Sequence, residues 1–225
     1  MADITRLKTK YKIDTHKFET DKQDFYKFRN IVNNPSFSVD KSKAVYDTLC
    51  ENFDAIFRIC AAEAELKESI ILISTEQKIV IPKVGFTTEI TDFAFTIGLF
   101  RDFYIVSAIK SSHNIKFMKD DFWELLFELS TIGKFGFAEN EKPDKNMRHK
   151  HPQLFNKTGN YYKLLRNYFL FETEYGQIRE LGYFSLSWDG ETKFDILIPK
   201  LCQAFKIMYQ INFLLWRHDN KNIKF

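Results

Sequence analysis

The sequence predicts a mainly α-helical fold, a single-domain bundle of about six helices with one small β-hairpin. Three observations carry that expectation. Apolar side chains recur every three to four residues along most of the 225 positions, the period of an amphipathic helix. Only 8 Gly and 5 Pro are present, few for the many tight turns of a β-sandwich. The chain also carries 24 Phe, large apolar side chains with no polar group to satisfy, which suit helices meeting around a thick core.

The elements follow in order. Residues 1–19 are basic and weakly patterned, with Arg6, Lys8, Lys10, Lys12 and Lys17 around Tyr11, Ile13 and Phe18. They read as an N-terminal arm or an edge strand. After Thr20, the residues Phe25, Phe28, Ile31 and Val32 fall at helical spacing until Asn33-Asn34-Pro35 stops the run. The clearest helix runs from about Asp40 to Lys67, on Val45, Leu49, Phe53, Ile56, Phe57 and Cys60, and continues through strong helix formers at 61–68.

At 70–82 the period changes. Ile70–Ile73 and Ile79–Ile81, separated by polar residues and closed by Pro82, predict the hairpin. Thr87 or Thr88 can cap a helix over 89–109 that is apolar on nearly all sides, as expected at the centre of a fold or at a homodimer interface. Phe122, Leu125, Leu126 and Leu129 define a further helix at Lys119–Ile132, ended by Gly133 and Gly136. The stretch 138–160 is a long polar loop, and loops of that length are usually functional or disordered. Helical spacing resumes from Asn160 to Leu181. The connector GYFSLSWDGE has a strong turn signal at Asp189-Gly190 and room for a short strand in YFSLSW. A long C-terminal helix spans about Thr192 to Trp216, with Pro199 near its first turn.

Composition narrows the function classes. Charged residues make up 28% and apolar residues 44%, the profile of a globular domain. The net charge of +3 is too small to argue for nucleic acid by itself. The most apolar long stretch, Phe194 to Trp216, is interrupted by Asp195, Lys200 and Lys206, so no membrane span is expected. Met1 to Glu19 has no apolar run of a secretory signal. Cys50 and Cys60 lie ten residues apart in one helix, roughly 15 Å along its axis, too far for a disulfide. With Cys202 they read as reduced core thiols, so the expected location is cytoplasmic.

No phosphate-binding glycine loop, nucleophile elbow, H-E-x-x-H or zinc-type Cys/His spacing occurs, and no cofactor or metal is expected. Asp121, Glu124 and Glu128 share a helix face, but they lack the E-x-x-H partner of a two-metal site and read as a solvated face. Polar chemistry concentrates in and after the long loop. Lys142, Lys145, Arg148, Lys150, Lys157, Lys163 and Arg166, against the single acid Asp144, interleave with Phe155, Tyr161 and Tyr162. Cations neutralise phosphates and aromatic faces stack unpaired bases, so these seven are the candidate nucleic-acid-binding residues.

His149 and His151 point the same way if the segment is extended, and with Arg148 they are candidate catalytic residues. The leading expectation is a non-enzymatic binding protein whose partner is another protein or single-stranded nucleic acid. The alternative is a divergent helical (HEPN-like) ribonuclease or a metal-dependent nuclease using Arg148, His149 and His151. No segment here has that ribonuclease family's Arg–His spacing. Trp188 with Asp189 could anchor a partner or pack under the last helix.

Overall fold

Between Phe93 and Ile109 burial alternates residue by residue. Phe93, Phe95, Ile97, Phe103, Ile105 and Ser107 are buried, while Ala94, Thr96, Tyr104, Val106 and Ala108 are half-buried. A period of two is the signature of strands. The span expected as one helix over 89–109 is an antiparallel hairpin of two strands, Ala94–Leu99 and Phe103–Ala108, turning at Phe100–Asp102. It lies in the middle of a sheet, so its apolarity reflects strand burial and no longer points to a homodimer-forming helix.

The structure, a computed structural model, describes residues 3–31, 39–73, 82–139 and 181–221. The expected helical bundle with a small hairpin is corrected: these residues form a six-stranded antiparallel sheet layered with helices. In chain order the elements are α1 (Ile4–Tyr11), α2 (Thr15–Ile31), α3 (Val39–Glu63), β1 (Ile70–Ile73), β2 (Lys83–Thr88), β3 (Ala94–Leu99) and β4 (Phe103–Ala108). A 3-10 turn at Ser112–Phe117 leads to α4 (Asp120–Ile132), β5 (Lys134–Glu139), β6 (Leu181–Trp188) and α5 (Phe194–Asp219). The strand order is β1-β2-β3-β4-β6-β5.

The first strand of the expected hairpin is present as β1. Ile70–Ile73 pairs with Gly85–Thr88 of β2, and 79–81 lie outside the described residues. The short strand expected in YFSLSW is part of β6, which is inserted between β4 and β5. Residues 4–11 of the expected arm are helix α1. Asp3 caps it by accepting from the Thr5 amide at 2.9 Å, Lys12 ends it in the left-handed conformation at φ 54°, and Leu7 is wholly buried. The loop expected at 138–160 begins inside β5, and the rest of it lies outside the described residues, as does nearly all of the helix expected at 160–181.

Helices α3 and α5 lie on one face of the sheet. The Phe57 ring of α3 stacks on Phe86 of β2 at 3.8 Å between centroids and meets Phe205 of α5 edge-on at 4.8 Å. Phe205 in turn meets Phe95 of β3 at 4.8 Å. Each fully buried ring of this kind contributes roughly 1.5–3 kcal/mol of transfer free energy. Asn212 of α5 ties the helix to the sheet through Ser107 Oγ at 2.7 Å and the Ala108 carbonyl at 3.0 Å. Trp188 donates to the Ile132 carbonyl at 2.9 Å and is buried, so it locks α4 to β6 and is not an exposed anchor. Among the described residues, no helix is long and apolar enough to cross a membrane.

Candidate binding groove

Helix α5 carries two stripes. The buried one, including Leu201, Phe205, Met208, Ile211 and Leu215, faces the sheet. The second, Gln203, Lys206, Gln210 and Phe213, steps by three or four residues along the opposite side. It forms the floor of a groove between the end of α3 and α4. Three adjoining hollows of about 260, 460 and 370 Å³ make up this groove, and all three are lined by Gln210.

An aromatic ladder rises out of the core into the groove. Phe205 is fully buried. Tyr209 follows one turn later at 6.4 Å, Phe213 stacks on Tyr209 at 6.2 Å, and Trp216 lies 5.8 Å beyond Phe213. Tyr209, Phe213 and Trp216 are each only partly buried. Aromatic residues held this way offer large contact area at low entropic cost to a partner.

The Tyr209 hydroxyl donates to Glu68 at 2.5 Å. Glu68 also accepts from the amides of Ile90 and Thr91 at 2.8 and 3.0 Å and from the Thr91 hydroxyl at 2.8 Å. This carboxylate fixes the loop after β2 against α5. Burial, and then the Glu68 hydrogen bond, push the Tyr209 phenol well above its ordinary range, so it stays a neutral donor.

The two walls differ in charge. Asp121, Glu124 and Glu128 of α4 form one wall, beside Leu125. These are the acids expected on a solvated face, and they are exposed, but they line the groove. Glu128 accepts from Gln203 at 2.8 Å, joining wall to floor. The opposite side has Arg6, Glu63, Leu66 and Lys67. Glu63 of α3 gathers Arg6, Lys10 at 2.9 Å and the Tyr11 hydroxyl at 2.8 Å, while Lys8 pairs with Asp195 at 2.6 Å. Arg6, Lys8 and Lys10 are thus held by acids of α3 and α5. Burial alone would raise the Glu63 carboxyl, but the hydrogen bonds from Lys10 and Tyr11 and the nearby cations outweigh it and hold the group below its usual range.

Lys142, Lys145, Arg148, His149, Lys150, His151, Lys157, Lys163 and Arg166 lie outside the described residues. Among the described residues, no three His, Cys, Asp or Glu come close enough to hold a metal ion. One small cluster was not anticipated. His113 of the 3-10 turn lies 3.2 Å from Asp219 at the end of α5, and His218 stacks on Phe117 at 4.5 Å between centroids. Hydrogen bonds from Asn114 and Ser111, with the two histidines, hold Asp219 below the usual carboxylate range. The pairing fastens the turn to the helix end. The groove residues Tyr209 and Phe213 were also missed. Their signal was present as a second apolar phase on α5, beside the stripe that the helical periodicity picks out.

Comparison of the chain with protein-family models, with curated proteins and with solved structures gives no match.

Proposed function

We propose that the protein is an intracellular interaction module, and that the groove along α5 docks a basic amphipathic segment of another protein. The observation that supports this reading is the pairing of an aromatic floor, Tyr209 and Phe213, with an acidic wall, Asp121, Glu124 and Glu128. A helix laid in such a groove places apolar side chains on the floor and lysines or arginines against the wall. The same carboxylates repel phosphates, which disfavours this face for nucleic acid. A cytoplasmic setting goes with the reading, since an odd number of cysteines without the spacing of a disulfide framework suits a reducing compartment.

The test uses a fluorescent amphipathic peptide of alternating leucine and lysine faces, with a glutamate-for-lysine version as control. The basic peptide is expected to bind with an affinity that falls with salt, while the acidic one does not. Phe213→Ala is expected to weaken binding about tenfold, a loss of roughly 1.4 kcal/mol. Glu124→Lys with Glu128→Lys is expected to abolish the salt dependence. Equal binding of both peptides, or indifference to these substitutions, sinks the reading. Labelled single-stranded RNA and DNA run in parallel decide the remaining alternative. Tight, salt-sensitive binding of either, unchanged by the groove variants, would move the function to Lys142–Arg166 and call for a cleavage assay with Arg148→Ala and His151→Ala.

A further inference from the structure

Cys60 on α3 and Cys202 on α5 are 142 residues apart in sequence, and their sulfurs lie 2.7 Å apart in the core. Both are free thiols, and each sits on a long helix whose position is fixed by the Phe57–Phe205 contact one turn away. A sulfur–sulfur bond is about 2.04 Å long, so the two atoms need only a small approach to join. The environments of the two differ. Both are buried, Cys202 at 4% and Cys60 at 2% exposure, but Cys202 lines the polar hollow of about 460 Å³ together with Arg6, Glu63, Gln203 and Lys206, and Cys60 does not.

We propose that Cys60 and Cys202 are a redox-active pair, which a small hydroperoxide entering the polar hollow oxidises to a disulfide joining α3 to α5. The first step occurs at Cys202. Its sulfur takes the terminal oxygen of the hydroperoxide, the O–O bond breaks, and Cys202 becomes a sulfenic acid while an alcohol, or water from hydrogen peroxide itself, departs. The Cys60 sulfur then attacks the Cys202 sulfur. The S–S bond forms, the S–O bond breaks, and the hydroxyl leaves as water with the proton from Cys60. Two thiols lose two electrons and two protons in total, and the hydroperoxide takes them up.

Burial pushes the Cys60 thiol well above its ordinary range, so it is a poor nucleophile towards anything in solution. Contact with Cys202 is what lets it act as the resolving thiol. Cys50 also has its thiol raised by burial, and it faces the Lys83 carbonyl at 3.8 Å, away from the pair. In a reducing compartment the pair stays a dithiol until an oxidant rises, the pattern of redox-sensing cysteines. The bond would close a loop of 142 residues. Closing a loop of that size raises the unfolding midpoint by roughly 5–15 °C.

The experiment treats the full chain with hydrogen peroxide, denatures and alkylates it, and maps the peptides by mass spectrometry. The expected result is loss of two of the three thiols, a single cross-link between Cys60 and Cys202, the mass of two hydrogens lost, an alkylated Cys50, a raised midpoint and full reversal by dithiothreitol. Cys50→Ser is expected to change none of this. In Cys60→Ser a sulfenic-acid trap is expected to label Cys202. Should that variant fail to fold, the cross-link map of the unsubstituted protein decides alone. Three alkylatable thiols after peroxide, a cross-link that involves Cys50, or sulfinic acid at Cys202 without a cross-link would overturn the proposal.

Discussion

Glu63 shows how one side chain sets a condition on the whole N-terminal region. Its carboxylate holds Arg6, Lys10 and Tyr11, and so fastens α1 to α3. The folded protein holds this carboxyl below its unfolded value. Its contribution to stability is therefore complete above the usual carboxylate range and is lost as pH falls through that range towards the lowered value. Glu63→Gln is expected to lower the thermal midpoint at neutral pH, and the difference from the unsubstituted protein is expected to shrink steadily as pH falls below the usual carboxylate range, as melts across that range will show. Glu68 carries more bonds. Removing it in Glu68→Ala leaves two amides, a hydroxyl and a phenol without their acceptor, at a cost of about 2–4 kcal/mol in urea unfolding.

At the scale of elements, close approach decides what the sheet tolerates. A Cβ on Gly98 would meet the Pro82 carbonyl at 2.8 Å and the Tyr104 ring beside it. Gly98→Ala is expected to cost about 1–3 kcal/mol in the same measurement. Gly98 lies inside the span expected as a helix, and is the place where β3 passes under a tyrosine of β4. That difference explains the misread span. The outward phase of β3 and β4 is Ala94, Thr96, Gly98, Tyr104, Val106 and Ala108, with no charge among them, so both phases look apolar and the period of two is masked. Three helices were legible because a charged face sits opposite a long apolar stripe: α4 is read within a residue of its bounds, and α3 and α5 within a few, whereas the short α1, with Leu7 as its one buried residue, was read as an arm. Edge strand β1 supplies another test. Ile71 is 49% exposed at the margin of the sheet. Ile71→Lys is expected to leave stability within about 0.5 kcal/mol while reducing aggregation on heating, followed by light scattering.

For the molecule as a whole, the groove is a product of assembly that no single segment announces. Its floor comes from α5, its acidic wall from α4 and its far side from α1 and the end of α3. The acids of α4 were visible in sequence, but their use depends on the 3-10 turn and β5, which set α4 beside α5. The sheet order was equally hidden, because β6 enters between β4 and β5 from a distant part of the chain. The contact between Cys60 and Cys202 belongs to the same class: spacing arguments compare neighbours, and this pair is made by two helices meeting across the core.

The insertion of β6 also has a consequence for synthesis. Ile105 of β4 finds its register partner, Leu186, about 80 residues later. At about 5–20 residues per second, a ribosome takes roughly 4–16 s to cover that distance. During that interval the β2–β4 meander exists with an open edge and with Phe95 lacking its Phe205 cover, since the helix that supplies Phe205 follows later still. An unpaired strand edge and exposed apolar surface favour aggregation, so slowing translation between β4 and β6 is expected to lower the yield of folded protein.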